Sequence, residues 1–231
     1  IWSPGCPRLR TGRPTCSAFR WVSHLRSSSP VDSSVFQQNT KYKLQFVFCI
    51  QDVLELHIRR LPGHDEADKI VSQLKHRNKV RVQMPQGECL LTESQRPAVF
   101  IAGGTGFAPF HSIIKTALRE DNPRELILYW GAQTSPDLYL HREPQEWAEK
   151  FKNFTYQPVL SGLDEEWQGR KGFVHHAFML DYDDITNMDI YVGGSEPMVM
   201  SVYQDLLDRG VSKESIHSDI LDIKRQMGVM D

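Results

Sequence analysis

Residues 97–114 read PAVFIAGGTGFAPFHSII, an apolar run that breaks into glycines and resumes as an amphipathic pattern. Ala98 to Ala102 suit a buried parallel strand, and Phe110, Ile113, Ile114, Ala117 and Leu118 recur at the three- and four-residue spacing of one helix face. The turn between them is Gly103-Gly104-Thr105-Gly106. Glycine suits a backbone that takes unusual dihedrals and approaches an anion, whose charge free N–H groups and the helix dipole would meet. Pro109 fits the first helical turn, where its missing N–H costs nothing, although it stands where a full G-x-G-x-x-G pattern would have its last glycine. The segment therefore reads as strand, phosphate loop and helix, with a purely structural tight turn as the alternative.

Working outward, strand and helix signals alternate from Ala98 onward, the pattern of a parallel sheet covered by helices. Five strands are expected: Ala98 to Ala102, Leu126 to Trp130, Thr155 to Leu160, Asp189 to Val192 and Ile216 to Asp222. Helices are expected at His111 to Glu120, Pro144 to Phe151, Val174 to Leu180 and Pro197 to Arg209, the last closed by Gly210. This is an α/β doubly wound domain, whose ligands belong at the carboxyl ends of the strands. Upstream, Leu54 to Arg59 and Val80 to Met84 alternate apolar with polar like half-buried antiparallel strands, around a short helix at Ala67 to Leu74.

The 231 residues are 40% hydrophobic, enough for one large or two small cores, and no run of about 18 apolar residues marks a membrane span. Residues 1–50 hold seven Lys/Arg against Asp32, a net +6, which leaves −8 for the remainder. A basic, Ser- and Arg-rich start is compatible with nucleic-acid binding or organelle targeting. The reading adopted is an irregular tail over 1–30 of a cytoplasmic protein without a nucleic-acid partner. Cys6, Cys16, Cys49 and Cys89 have no zinc or iron–sulfur spacing, and no metal site is expected. His175 and His176 are adjacent on a helix and so point to different faces, a poor metal pair.

Taken in order, LELHIR, VQMPQGE, FIAGGTGFAP, LYWGAQTSPDLY, WQGRKGFV and DIYVGGSEPM resemble the ferredoxin-NADP reductase superfamily, and most of all its NAD(P)H-flavin reductase branch. The resemblance implies a partial flavin-binding β-barrel over 31–95 and an NAD(P)-binding α/β domain over 96–231. It implies NADH or NADPH as hydride donor and a flavin, FAD, FMN or riboflavin, as cofactor or substrate, the hydride passing in the cleft between domains. By position, Gly103, Gly104, Thr105 and Gly106 would face the pyrophosphate. Tyr191, Gly193, Gly194, Glu196, Pro197 and Met198 would lie beside the nicotinamide, with Gly193 where many relatives have cysteine. Gly131, Gln133 and Asp137 follow the second strand at its carboxyl end, Gln133 standing where flavin reductases tend to have arginine. Ser161 resembles a serine that approaches the ribose, but Gly162 replaces a frequent arginine and Asp164, Glu165 and Glu166 are close, so NADH is favoured over a 2′-phosphate. Pro85, Gly87, Glu88 and Cys89 match the segment that runs past the flavin.

The family's R-x-[YF]-[ST] flavin motif does not occur about a dozen residues before LELHIR, where the chain reads KYKLQFVFCIQDV. Arg20-Trp21-Val22-Ser23 has its outer residues, but earlier and with the aromatic out of step. Three functions follow from this. The first is NAD(P)H-dependent flavin reduction, with no catalytic side chain needed because the cofactors carry the hydride chemistry. The second is a reductase that passes electrons through bound flavin to a separate iron–sulfur protein. The third is a nucleotide-binding remnant without a complete flavin site.

Overall fold

A computed structural model describes residues 17–24, 45–50, 53–60, 68–69, 71–72 and 89–230. The chain divides into two compact units, 1–84 and 85–231. In the first, β1 (Ser17–His24), β2 (Gln45–Ile50) and β3 (Val53–Arg60) form an antiparallel sheet in the order β1-β3-β2. The expected irregular tail over 1–30 is corrected here, because Ser17–His24 pairs along β3 from Ser17 opposite Arg60 to His24 opposite Val53. Its alternating Phe19, Trp21 and hydroxyl-bearing Ser23 have the two-residue period that a paired strand needs. Residues 68–69 and 71–72 are helical, within the span expected for a helix. The strand expected at Val80 to Met84 lies outside the described residues.

The second unit is a six-stranded parallel sheet: β4 (Ala98–Gly103), β5 (Leu126–Ala132), β6 (Phe154–Leu160), β7 (Arg170–Lys171), β8 (Asp189–Gly193) and β9 (Ile216–His217). Its helices are α1 (Phe107–Arg119), α2 (Arg142–Lys150), α3 (Val174–Asp181), α4 (Glu196–Asp208) and α5 (Asp219–Gln226). Strand alternation sorts the side chains. Ala98, Phe100, Ala102, Leu128 and Trp130 face a core with Phe107, Phe110, Ile114 and Leu118 of α1, and Trp147 of α2 packs against it. Val99, Ile101, Ile127, Tyr129, Ile190 and Val192 face a second core with Phe178 of α3, Val202 and Leu206 of α4 and Leu221 of α5. Helices thus cover both faces, and each large apolar side chain buried this way contributes roughly 1.5–3 kcal/mol.

The strand order β7-β6-β5-β4-β8-β9 locates the point that matters for function. The chain runs outward from β4 through β5, β6 and β7, then returns to lay β8 on the other side of β4. The β4/β8 boundary is therefore the topological switch point, where the loops leaving the carboxyl ends diverge and open a crevice.

Some elements differ from the sequence reading, among them α1, which starts at Phe107 rather than His111. The two-residue β7 is an additional edge strand, paired from Val159 and Leu160 to Arg170 and Lys171. The strand expected over Ile216 to Asp222 keeps only Ile216 and His217, because Ser218 starts a helix by accepting a hydrogen bond from the Ile220 N–H at 3.3 Å. Asp219 and Asp222 in the first turn and Lys224 and Arg225 in the last complement that helix's dipole. Gly210 closes α4 as expected: at φ +80° its N–H bonds the Leu207 carbonyl, and Val211 N–H bonds that of Leu206.

Candidate functional site

Four segments leave the carboxyl edge of the sheet: from the end of β4 (Gly103 to Gly106), from the end of β5 (Gly131 to Asp137), after β6 (Ser161, Gly162), and from the end of β8 into the first turn of α4 (Gly193 to Met198). The parallel register aligns their starts, with Gly103 opposite Gly131, Ala102 opposite Gly193 and Gly131 opposite Val159. Four separate sequence motifs therefore converge on one edge.

The glycines have a reason different from the one expected for most of them. Of the loop after β4, only Gly104 has a left-handed backbone, with φ +53°. A Cβ on Gly106 would lie 2.3 Å from the Gly193 carbonyl oxygen and 2.5 Å from the Gly194 nitrogen. One on Gly193 would lie 2.6 Å from the Gly106 oxygen. Gly103 and Gly194 are closed against Met198, at 2.3 and 2.7 Å from its sulfur. Glycine is thus required at 106 and 193 because the two loops that flank the switch point press backbone on backbone, while at 103 and 194 it makes room for the Met198 side chain. Gly131 is held likewise by Val174 at the start of α3, 2.8 Å from a Cβ built there.

A residue outside the expected site set fixes this loop. Trp130, fully buried on β5, donates its indole N–H to the Gly104 carbonyl at 2.9 Å and stacks on Phe107 with centroids 4.1 Å apart. Its position one residue before Gly131 marks the strand's end, but nothing local in the sequence reveals the partner carbonyl. Trp130→Phe keeps the stacking and deletes the hydrogen bond. Expected is a stability loss of about 1 kcal/mol, read by urea unfolding, with weaker nucleotide affinity in titration calorimetry.

The remaining expected residues separate by environment. Gln133, Ser161, Glu196 and Pro197 are exposed, and Gly104, Thr105, Pro109, Gly131, Asp137 and Met198 are half-buried. Pro109 lies in the first turn of α1, a helix with no side-chain cap and no acid in its first turn. Asp137 is occupied locally: its carboxylate accepts from the Thr134 N–H at 3.2 Å and hydroxyl at 2.9 Å, a capping box. Gly162 N–H bonds the Gln133 carbonyl at 2.9 Å, which ties the loops after β5 and β6 together. Tyr191 is corrected: it is fully buried, stacked on Phe100 and His217, with its hydroxyl bonded to Thr92, and so does not face the crevice. Two residues before the strand's end, it points into the core behind α1. Pro85, Gly87 and Glu88 lie outside the described residues. Burial, with Asp219 and Asp222 adding to it, pushes the Cys89 thiol pKa upward, away from thiolate chemistry.

Behind the loop, buried His111 on α1 contacts Glu143 on α2 at 3.0 Å, and Lys115 reaches the same carboxylate at 3.2 Å. Burial alone would raise the Glu143 pKa, but these two partners hold it at about 2. His111 thus ties α1 to α2.

An open doubly wound sheet with glycine loops interlocked across its switch point defines a pyridine-nucleotide-binding domain of the oxidoreductase type, and residues 100–204 match the family described as Oxidoreductase NAD-binding domain. The protein RfbI of Salmonella typhimurium is 42% identical over 166 residues, covering 72% of this chain and 50% of that protein. A probable flavin reductase of Aliivibrio fischeri is 34% identical over 164 residues, 69% of this chain and 70% of its own. The crystal structure of the Amycolatopsis cytochrome P450 reductase GcoB superposes with a TM-score of 0.62 at 31% identity, over 73% of this chain and 52% of that one. The chain belongs to the ferredoxin-NADP reductase superfamily, whose cofactors are NAD(P)H and flavin. It spans about half the length of RfbI. No helix among the described residues is long and apolar enough to cross a membrane.

Proposed function

We propose that this chain takes a hydride from NAD(P)H and delivers it to a flavin, as a flavin reductase-like oxidoreductase. The observation that carries the reading is the interlocked pair of glycine loops at the β4/β8 switch point, next to a helix start that has neither a capping side chain nor an acid. Such a start turns the positive end of the helix dipole towards an anion, while Phe107 N–H is taken by the Gly104 and Thr105 carbonyls of the preceding tight turn, and the residues present fit a pyrophosphate there. Gly104, Thr105 and Gly106 would hold it; Gly193, Gly194 and Met198 would bound the nicotinamide; Ser161 and Gln133, both exposed, would meet the ribose side. When bound, the nicotinamide supplies the hydride and the flavin accepts it. The protein's own contribution is position: the interlocked backbones of Gly106 and Gly193 fix the edge of the sheet against which the nucleotide would be held.

Asp164 accepts a hydrogen bond from the Ser135 N–H at 3.2 Å, which fixes an acid beside the loops after β5 and β6. A carboxylate there disfavours a 2′-phosphate, in keeping with a preference for NADH. A second reading, transfer from flavin to an acceptor protein, is favoured by the likeness to the cytochrome P450 reductase.

The purified chain, mixed with NADH or NADPH with and without FMN, FAD or riboflavin, separates these outcomes by nicotinamide absorbance. Flavin-dependent oxidation, faster with NADH, is the expected result. Oxidation that requires an added electron-acceptor protein would favour the second reading. Tight nucleotide binding with no oxidation under any condition would leave only a nucleotide-binding remnant.

A further inference from the structure

His175 and His176 open α3, and neighbouring helix residues ordinarily project about 100° apart. Here the two imidazoles converge. His175 Nε2 lies 3.1 Å and His176 Nε2 3.6 Å from the same oxygen of Asp205 on α4, and the ring centroids are 4.2 Å apart. The three donor atoms all lie within 4.8 Å of one another. This overturns the expectation that the pair diverges.

We propose that His175, His176 and Asp205 bind one divalent transition-metal ion of the zinc class. A tetrahedral ion with bonds of about 2.0–2.1 Å places its ligand atoms about 3.3 Å apart, and the two nitrogen–oxygen separations, 3.1 and 3.6 Å, bracket that edge. A hydrogen bond accounts for the shorter contact alone, since the longer exceeds hydrogen-bond reach. Imidazole and carboxylate suit zinc and its neighbours better than calcium or magnesium, which prefer all-oxygen shells. The exposures are graded: the His175 side chain is 7% exposed, Asp205 36% and His176 57%, so an ion can enter from solvent and keep water in its fourth position. The site would clip α3 to α4. Val174, next to His175, abuts Gly131 on the nucleotide edge, and α4 begins just after Gly194.

The test uses the full chain, treated with a chelator and then titrated with Co²⁺ and Zn²⁺. Expected are one equivalent of Co²⁺ with a visible ligand-field spectrum, its displacement by Zn²⁺, and a melting temperature raised by about 5 °C at a hundredfold excess over Kd. His176→Ala and Asp205→Ala, checked to melt like the parent without metal, should each weaken binding about tenfold or more. No cobalt spectrum and no melting shift, or binding equal to the parent's in both variants, would overturn the site.

Discussion

Asp189→Ala should lower stability by about 3–5 kcal/mol, on the order of 10 °C in melting temperature for a chain of this size. Asp189 begins β8 with its side chain 0% exposed, and its carboxylate meets Arg124, 2% exposed, at 2.5 Å, and Arg96. Arg124 is committed on all sides: Nε donates to the Arg96 carbonyl at 2.5 Å and Nη1 to that of Thr92 at 2.9 Å. Thr92 meets the Tyr191 hydroxyl, and Arg96 reaches the Ser215 hydroxyl at 3.0 Å. Removing the carboxylate strands a buried guanidinium, which is the expensive outcome; replacing the whole cluster by apolar residues would be far milder. The cluster joins the starts of β4, β5, β8 and β9, the edge opposite the glycine loops. Nucleotide affinity of the folded variant should therefore stay within about twofold of the parent. Arg119→Ala, which breaks the exposed pair with Glu120, serves as the control and should change stability by less than about 1 kcal/mol. A loss below about 1 kcal/mol for Asp189→Ala, by chemical unfolding, would mean that Arg124 finds water or another partner.

The parts legible in the sequence are those whose cause is local. Strand period, helix period and a glycine turn within eighteen residues announce β4, its loop and α1. The doubly wound arrangement follows from repetition of that unit. The cluster around Asp189 depends instead on residues 92, 96, 124, 189 and 215, each unremarkable alone and joined only by sheet register. Tyr191 was misplaced for a related reason: its motif fixes position along the strand, whereas strand parity decides which face a side chain takes. His175 and His176 defeat the helical-wheel argument because Asp205 comes from a different helix, and that carboxylate draws both rings to one point. Ile216 to Asp222 was expected as strand, but only Ile216 and His217 are. Ser218 and Asp219 carried the contrary signal, a cap and a first-turn acid. The glycine turn is visible along the chain, yet the close packing that requires glycine at 106 comes from a partner loop some ninety residues away, which no local pattern discloses.

That partner loop makes Gly106→Ala the decisive substitution for the nucleotide site. A methyl group there would lie 2.3 Å from one backbone carbonyl oxygen and 2.4 Å from its carbon, neither of which can rotate aside. Relief requires the loops after β4 and β8 to separate by roughly 1 Å, since ordinary contacts begin near 3.4 Å. Displacement of that size in groups that position a ligand costs about a hundredfold in the affected step. NAD(P)H affinity should therefore fall by one to two orders of magnitude, while overpacking removes about 1–3 kcal/mol of stability. Gly104→Ala is the informative contrast: its burden is the left-handed backbone, φ +53°, at a cost of about 1–2 kcal/mol. If that backbone strain is its whole effect, it should weaken binding less than Gly106→Ala. Gly193→Ala meets Gly106 from the opposite side and should reproduce the Gly106→Ala loss. Because both changes open the same interface, the double variant should fall well short of the summed free-energy penalties, as expected for residues in contact. Calorimetric titration of the parent and the four variants with NADH and NADPH measures this directly. Equal, undiminished affinity in Gly106→Ala and Gly193→Ala would remove the switch-point loops from the nucleotide site and return their glycines to packing alone.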